Sequence, residues 1–469
     1  MLLRQIFDSS LAQYAYLFGC QRTGEALLID PQRDIDRYET LVADEGLRLT
    51  AVAETHIHAD FLSGARDLAE KTGATLYLSD EGGPDWRYNW ADSTTARVVK
   101  LRDGDRLTVG GVEVEALHTP GHTPEHLCFL VTDRGSGAGE PIGLASGDFL
   151  FVGDLGRPDL LESAAGEVGA MGPAAEALFR STGRLAQLAE HLQVWPGHGA
   201  GSACGKALGA VPTSTLGYER RHNPSLALVD RGVEAFVDGI LEGQPEPPLY
   251  FSRMKRQNRD GAPAARSLGD PVELSADEFA ARAGEDGVVV LDTRRSGRDF
   301  LRAHLPGSIW APAGGAAFLA YAGSYLDPSE RILLVAEPGM AAGLARALYR
   351  IGLDRVEGTA TPEALEIENH GDAVGLSSIG WAELRRLRDA GEVTVLDVRR
   401  EAEHAAAAID GAVNMAHTRL RDRIGELSRE RPLAIHCLSG ARATTAASFL
   451  RRNGFDCLHV DAHFKDWRE

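Results

Sequence analysis

The amino-acid sequence predicts an α/β protein of several domains, built from layered sheets with helices outside them. Three observations predict this. Strand-like apolar runs alternate with stretches of helical spacing through the first half of the chain. His or Asp follows directly on four of those runs, and strand ends on one edge are where open α/β sheets carry their sites. The second half repeats itself: Val288-Val289-Val290-Leu291-Asp292-Thr293-Arg294 recurs as Val393-Thr394-Val395-Leu396-Asp397-Val398-Arg399, which implies two domains of one fold. A chain of 469 residues is also more than one core can hold.

Composition narrows the function classes. The chain is 43% hydrophobic and 25% charged, an ordinary globular balance. Asp plus Glu number 68 against 49 for Lys plus Arg, a net charge of −19, so neither nucleic acid nor an anionic membrane surface is expected as a partner. No apolar run approaches the roughly 18 residues of a membrane span, and Met1-Leu2-Leu3-Arg4-Gln5 does not open a secretory signal, so cytoplasmic residence is expected. The five cysteines, at 20, 128, 204, 437 and 457, have no C-x-x-C spacing, which argues against a disulfide framework or a cysteine zinc knuckle.

In chain order, Tyr14 to Phe18 and Ala26 to Asp30 flank a turn at Arg22-Thr23-Gly24 and read as a hairpin entering a sheet. Ile35 to Glu45 is helical in spacing, Leu47 to Ala53 is a strand, Leu62 to Lys71 is helical and Ala74 to Leu78 is a strand. Between the second and third of these lies Thr55-His56-Ile57-His58-Ala59-Asp60-Phe61, whose imidazoles and carboxylate suit a cation. The period-2 strand Val112 to Leu117 ends in His118-Thr119-Pro120-Gly121-His122-Thr123-Pro124. His122 is the sharper candidate there, because prolines and glycine fix the turn that carries it. Asp148 follows the strand Gly143 to Ser146, and His198 follows Gln193-Val194-Trp195-Pro196.

These segments match, in order and spacing, the motifs of the metallo-β-lactamase fold, so the first half resembles that αββα sandwich. In the family's dinuclear hydrolases the first motif normally ends in a further histidine that helps hold a second metal. Here that position is Phe61, which cannot ligate, and this disfavours a two-zinc thioester hydrolase of the glyoxalase II type. The chain is more similar to the persulfide dioxygenases, and that resemblance implies one Fe(II) per chain held by His56, His122 and Asp148. Two imidazoles and one carboxylate leave one face of an octahedron open for a sulfur ligand and O2. His58, Asp60 and His198 are then expected as hydrogen-bonding support around the metal. The stretch Gly153 to Leu160 resembles the same group, in which the matching Gly-Arg helps form the substrate pocket. Arg157 is accordingly a candidate anion clamp, with an ion pair to Asp159 or Asp154 as the alternative. Past His198, four glycines lie between 197 and 205. Cys204 among them, near Lys206, is either a thiol of lowered pKa that takes part in persulfide chemistry or a small residue packed in a Gly loop. The Gly199 to Lys206 stretch resembles the larger dioxygenase–sulfurtransferase fusions.

The segment 245–271, with Pro, Gly and the basic run Arg253-Met254-Lys255-Arg256, reads as a linker with local order after a first domain of 1–244. In the second repeat (373–469) the strand Leu433-Ala434-Ile435-His436 runs into Cys437-Leu438-Ser439-Gly440-Ala441-Arg442 and a helical stretch. Loop N–H groups, a helix N-terminus and Arg442 would favour a thiolate at Cys437. With Leu396-Asp397-Val398-Arg399 before it and Phe464-Lys465-Asp466-Trp467 after it, this resembles a rhodanese active-site loop. The first repeat (272–362) has Glu337 where the cysteine would stand and Ala342 in place of the arginine, so it is expected to keep the fold without the chemistry. The two resemblances together imply oxidation of a small thiol persulfide, such as glutathione persulfide, by O2 to sulfite. They also imply exchange of sulfur at Cys437 among persulfide, thiosulfate and sulfite, in sulfide detoxification. A non-oxidative sulfur carrier is the other alternative, and a homo-oligomer is expected.

Overall fold

The first strand of the structure, Leu2–Asp8 (β1), was not foreseen in the sequence; it pairs antiparallel with Gln13–Cys20 (β2). The structure, a computed structural model, describes residues 1–367 and 373–468. Glu469, the end of the expected second repeat, lies outside the described residues. The chain divides into two compact units, Met1–Ser267 and Leu268–Glu469. Among the described residues no helix is long and apolar enough to cross a membrane.

In the first unit, β1 and β2 continue with Glu25–Ile29 (β3), Arg48–Ala53 (β4), Thr75–Ser79 (β5) and Val98–Leu101 (β6), in that spatial order. The second sheet holds Arg106–Val109 (β7), Val112–His118 (β8), Leu127–Asp133 (β9), Gly143–Gly147 (β10), Gln193–Pro196 (β13) and Ser214–Thr215 (β14), ordered β14-β13-β10-β9-β8-β7. A small hairpin, Leu150–Phe151 (β11) with Asp154–Leu155 (β12), leaves β10. The alternating sets along each strand explain the layering. Tyr16, Phe18, Leu27 and Ile29 meet Val112, Val114, Phe129 and Trp195 between the sheets. Their neighbours Ala15, Leu17, Ala26 and Leu28 face the helices Asp36–Asp44 and Ala65–Thr72, while Leu178, Leu185, Phe236 and Ile240 cover the outer face of the second sheet. Strands buried on both faces read as continuous apolar runs, and two such sheets face to face with helices outside form an αββα sandwich.

The segment expected as a linker corrects the boundary at 244. It carries the helix Tyr250–Asp260, which buries Tyr250, Phe251, Met254, Lys255 and Asn258, and the first compact unit extends to Ser267. The apolar stripe is short and its basic neighbours mask it, yet the buried spacing is that of one helix face.

In the second unit, Val288–Asp292 (β15), Ile309–Trp310 (β16), Arg331–Val335 (β17) and Val356–Ala360 (β18) form a parallel sheet ordered β16-β15-β17-β18. Ser378–Ile379 (β19), Thr394–Asp397 (β20), Val413–Asn414 (β21), Leu433–His436 (β22) and Cys457–Val460 (β23) form another, ordered β19-β23-β22-β20-β21. Equivalent strands occupy equivalent places, so the repeat in the sequence is a repeat in topology. It extends to a buried fork: Arg294 donates to both Asp292 oxygens and to Ala303 O, and Arg399 does the same to Asp397 and Ala407 O. The copies interlock within this unit. Trp310 N–H donates to Ser448 Oγ at 3.1 Å, and Arg452 donates to Gly307 O at 3.0 Å and Val288 O at 2.9 Å.

Candidate metal centre and sulfur-transfer loop

Four strand ends of the first unit converge. From β4 comes His56, from β8 His122, from β10 Asp148 and from β13 His198, and all four are buried. His122 Nε2 lies 3.5 Å and His56 Nε2 3.9 Å from Asp148 Oδ2, and one ligand atom from each of the three lies within 4.8 Å of the others. Close backbone approach makes this possible. Gly147 sits at φ 49°, and a Cβ there would come within 2.6 Å of His126 Nε2 and 2.8 Å of Thr55.

Each ring and carboxylate is held by a partner. Thr55 donates from its N–H to Asp30 Oδ1 at 2.7 Å and from Oγ1 to Asp30 Oδ2 at 2.8 Å, and the same hydroxyl lies 2.9 Å from His56 Nδ1. Asp148 N–H donates to His126 Nε2 at 3.0 Å, so the His126 proton sits on Nδ1, facing Thr119 Oγ1 at 2.9 Å. His198 meets carboxylate oxygen on both sides, Asp148 Oδ1 and Asp60 Oδ2, each at 2.8 Å. His58 Nε2 is 3.2 Å from Asp30 Oδ1 without the alignment of a hydrogen bond.

Electrostatics sorts these histidines. Burial, reinforced by neighbouring imidazoles, pushes His56 and His122 well below the usual histidine range, so both are neutral and free to ligate. Burial works the same way on His198 and His58, but there the carboxylates win: Asp148 and Asp60 hold His198 well above its ordinary value, and Asp30 and Glu54 raise His58 to about 9. Despite burial, His198 keeps the Asp60 carboxyl low.

The set fits a metal cation. Asp148 Oδ2 is buried and has no hydrogen-bond partner, and an uncompensated buried carboxylate oxygen is costly unless a cation meets it. A second trio, Asp60, His198 and Cys204, is equally close-set, but Asp60 and His198 are bonded to each other and His198 spends its other nitrogen on Asp148.

In the second unit, Cys437 leaves the end of β22 and is buried. Gly440, at φ 104°, turns its N–H onto Cys437 Sγ at 3.1 Å, and the helix Ala441–Arg452 starts at once. His459 Nε2 braces the loop from behind, 3.3 Å from Gly440 O and 3.2 Å from Thr444 Oγ1. Arg442 forks onto Glu403 at 2.6 and 2.9 Å, which offsets part of the positive potential expected from its charge. In the first repeat the matching loop exposes Glu337 and offers no thiol.

The family model for the metallo-beta-lactamase superfamily matches residues 10–198, and the rhodanese-like domain model matches 381–469. A solved structure of a metallo-beta-lactamase from Staphylococcus aureus subsp. aureus COL is 37% identical, with a TM-score of 0.68, and the match covers 77% of this chain and 99% of that one. This chain belongs to the metallo-β-lactamase superfamily. It joins that domain to a rhodanese-like domain. Over 233 residues the chain is 28% identical to the mitochondrial persulfide dioxygenase ETHE1 of Bos taurus, covering 49% of this chain and 77% of that protein. Over 202 residues it is 35% identical to a hydroxyacylglutathione hydrolase of Polaromonas sp., covering 42% and 66% respectively.

Within the metallo-β-lactamase domain two expectations are corrected. Arg157 is fully buried and its guanidinium is spent. It donates to Asp159 at 3.1 and 2.6 Å, to Ala203 O at 2.6 Å and to Pro245 O at 2.6 Å, so the ion pair stands in place of the anion clamp. Cys204 is not an activated thiol: burial pushes it up to about 12, and Lys206 turns away to Gly239 O and Glu242 O. Four residues that hold the site were not singled out from the sequence. Asp30 and His126 are two. Glu125 accepts from Ile57 N–H at 2.7 Å, and Asn258 donates to His58 O at 2.8 Å and Phe61 O at 2.7 Å while accepting from Ser63 N–H at 2.9 Å. His126 had a visible signal, four residues after His122; Asp30 ends a strand as Asp148 does.

Proposed function

We propose that the chain is a persulfide dioxygenase coupled to a sulfurtransferase, acting in sulfur metabolism. The observation that carries this is one donor set of two imidazoles and a carboxylate, with an unpartnered Asp148 Oδ2, beside Asp60 and His198 that are bonded to each other. The likeness to the bovine persulfide dioxygenase supports the same reading. Fe(II) held by His56, His122 and Asp148 would supply open positions for a persulfide sulfur and O2; O2 would provide two oxygens of the sulfite and water the third, as the S–S bond breaks and the thiol leaves. The chain's own groups prepare that step. Thr55 fixes the His56 ring, His126 fixes the Asp148 backbone, and His198 occupies Asp148 Oδ1 so that Oδ2 is the oxygen presented. Phe61, fully buried with its ring 4.4 Å from that of His58, puts an apolar ring in the place of a further ligand.

At the second centre the Cys437 thiolate attacks the outer sulfur of a persulfide or of thiosulfate. The Sγ–S bond forms, the donor's S–S bond breaks, and the thiolate or sulfite leaves with the electron pair. Sulfite or another thiolate then takes the sulfur and regenerates the Cys437 thiolate. Joining both activities in one chain raises the effective concentration of sulfite near the sulfur carrier.

The test is oxygen uptake on adding glutathione persulfide, with metal analysis. Uptake lost in His122→Ala and retained in Cys437→Ser, with about one iron per chain, is expected. About two zinc atoms with thioester turnover and no uptake would assign the chain to hydrolysis, as in the Polaromonas relative; sulfur transfer without uptake in the iron-loaded chain would assign it to a non-oxidative carrier.

A further inference from the structure

A buried cation of the first unit has no bonded anion. Lys255, on the helix Tyr250–Asp260, is only 8% exposed, yet among the described residues its ammonium makes no hydrogen bond and no ion pair. It sits 3.7 Å from the centre of the Trp86 ring, which is packed against Leu161 and Ala174. A cation–π contact leaves the N–H donors of a buried ammonium unused, which is unfavourable unless an acceptor reaches them. Lys255 lines a cleft of about 120 Å³, and Trp86 lines it too. The cleft borders the metal loop. Ile57, between His56 and His58, forms part of its wall, with its N–H held by Glu125 at 2.7 Å. The helix is tied to the same loop one turn past Lys255, where Asn258 donates to His58 O and Phe61 O. Glu167 lines this cleft and also a second one of about 250 Å³, which it shares with Pro120, Gly121 and Pro124 of the turn that carries His122.

The charges in the cleft select its occupant. Of its cations, Arg259 is forked onto Asp260 at 2.8 and 3.1 Å, which leaves Lys255 and Arg256. Its carboxylates are Asp85 and Glu167, and neither is bonded to a cation among the described residues. Two cations and two carboxylates suit a group that carries both signs, a carboxylate beside an ammonium. A phosphate dianion would meet Asp85 and Glu167 as like charges. Burial lowers Lys255 to about 8, with Glu125 and Glu167 opposing, so the ammonium keeps its charge at neutral pH.

We infer that this cleft holds the amino-acid end of the substrate thiol, its carboxylate on Lys255 and its ammonium on Glu167, so that the chain selects persulfides of thiols ending in a free α-amino acid. This deepens the persulfide dioxygenase reading given above and rests on it. The cleft binds and orients, and takes no part in breaking the S–S bond. The span suits a peptide: Ile57 follows the ligand His56 directly, about 3.8 Å away between Cα atoms, and an extended tripeptide reaches about 10 Å. Lys255 gains the charge-assisted acceptor it lacks, and the Trp86 ring holds the ammonium in place to meet it.

The test titrates S-methylglutathione, whose blocked sulfur leaves the peptide to bind, into the full iron-loaded chain and follows the heat. Lys255→Met keeps the length of the side chain and removes its charge, and is expected to weaken binding about 10- to 100-fold. Glu167→Gln is expected to weaken it about 3- to 10-fold. N-acetyl-S-methylglutathione, which lacks the ammonium, should bind wild type more weakly than the parent probe, and Glu167→Gln should no longer tell the two probes apart. Because Glu167 is half-buried in a loop, that comparison decides the case even where Lys255→Met does not fold. Affinity within about twofold of wild type in both variants, or no binding by wild type, would overturn the inference. In oxygen uptake, Lys255→Met should lose about fivefold or more kcat/KM with glutathione persulfide relative to its loss with 2-mercaptoethanol persulfide, and equal losses would overturn it too. A wild-type chain that takes up no oxygen with either persulfide, while Lys255 still sets the affinity for S-methylglutathione, overturns the dioxygenase reading and supports the binding role of the cleft.

Discussion

Removing the His198 ring tests whether the metal centre depends on its supporting bonds. In the structure this ring bridges Asp148 Oδ1 and Asp60 Oδ2, both at 2.8 Å, with all three groups buried. Hydrogen bonds to charged groups contribute about 1.5–3 kcal/mol each. In His198→Ala both are lost, but only the arm to Asp148 bears on a metal ligand. Its loss frees the carboxylate to rotate and leaves Oδ1 bare, so about 1.5–3 kcal/mol of metal affinity is expected to go, roughly 10- to 100-fold. Asp60→Asn is the graded control. An amide oxygen still accepts from His198 Nε2 and leaves the Asp148 arm intact, so a loss of about fivefold or less is expected. The assay is iron retained against a chelator series, read by metal analysis, with oxygen uptake measured on the same samples. Equal losses in both variants, or no loss in His198→Ala, would refute the assignment of His198 to orienting Asp148.

Three further outcomes follow from single groups. Asn258→Leu keeps the volume but leaves His58 O, Phe61 O and Ser63 N–H without their partner; about 2–4 kcal/mol of stability of the first unit should be lost, seen as a lower unfolding midpoint together with weaker iron retention. Cys204, with its thiol at about 12, should stay unlabelled by iodoacetamide at pH 8 in the folded chain and be labelled once denatured; rapid labelling when folded would contradict its burial. His436, fully buried before Cys437, is lowered from 6.5 to about 4 by burial, with Arg399 adding to the effect and Asp397 opposing it. Below 6.5 the unfolded chain therefore takes up a proton that the folded chain refuses until about 4, and stability falls as the pH drops through that window. By pH 5 this amounts to about 2 kcal/mol. His436→Phe, followed by the fluorescence of Trp381 and Trp467, should show a smaller loss between pH 7 and pH 5 by that amount, and an unchanged pH slope would remove His436 as its source.

What could be read from the sequence was whatever lies at a strand end. His56, His122, Asp148 and His198 each follow a short apolar run, and the chemistry of each is set by residue type and local turn. Their partners were hidden because they come from remote chain. Asn258 reaches His58 across 200 positions and Asp30 reaches Thr55 across 25, and no local pattern announces a hydrogen bond of that span. The same cause lies behind the two corrected residues. Arg157 beside a glycine suggested an open pocket, but Ala203 O and Pro245 O close over its guanidinium from later in the chain. Cys204 in a glycine-rich loop suggested an accessible thiol, but that loop folds inward toward His198 and Asp60. In the second half the repeat was legible because a buried Arg–Asp fork needs its residues two apart, a spacing the sequence keeps in both copies.

Phe61 connects these observations. A carboxylate has two oxygens, and how Asp148 divides them decides how many metals its surroundings suit. With a histidine at position 61, Asp60 and His198 would have a third partner with which to form a second set of ligands. With phenylalanine there, Asp60, His198 and Cys204 remain, and Asp60 and His198 are bonded to each other at 2.8 Å. Once His198 is held that way, its other nitrogen takes Asp148 Oδ1, and Oδ2 is the oxygen left facing His56 and His122. A side chain that cannot bind metal thus leaves Asp148 Oδ2 to the set it forms with His56 and His122.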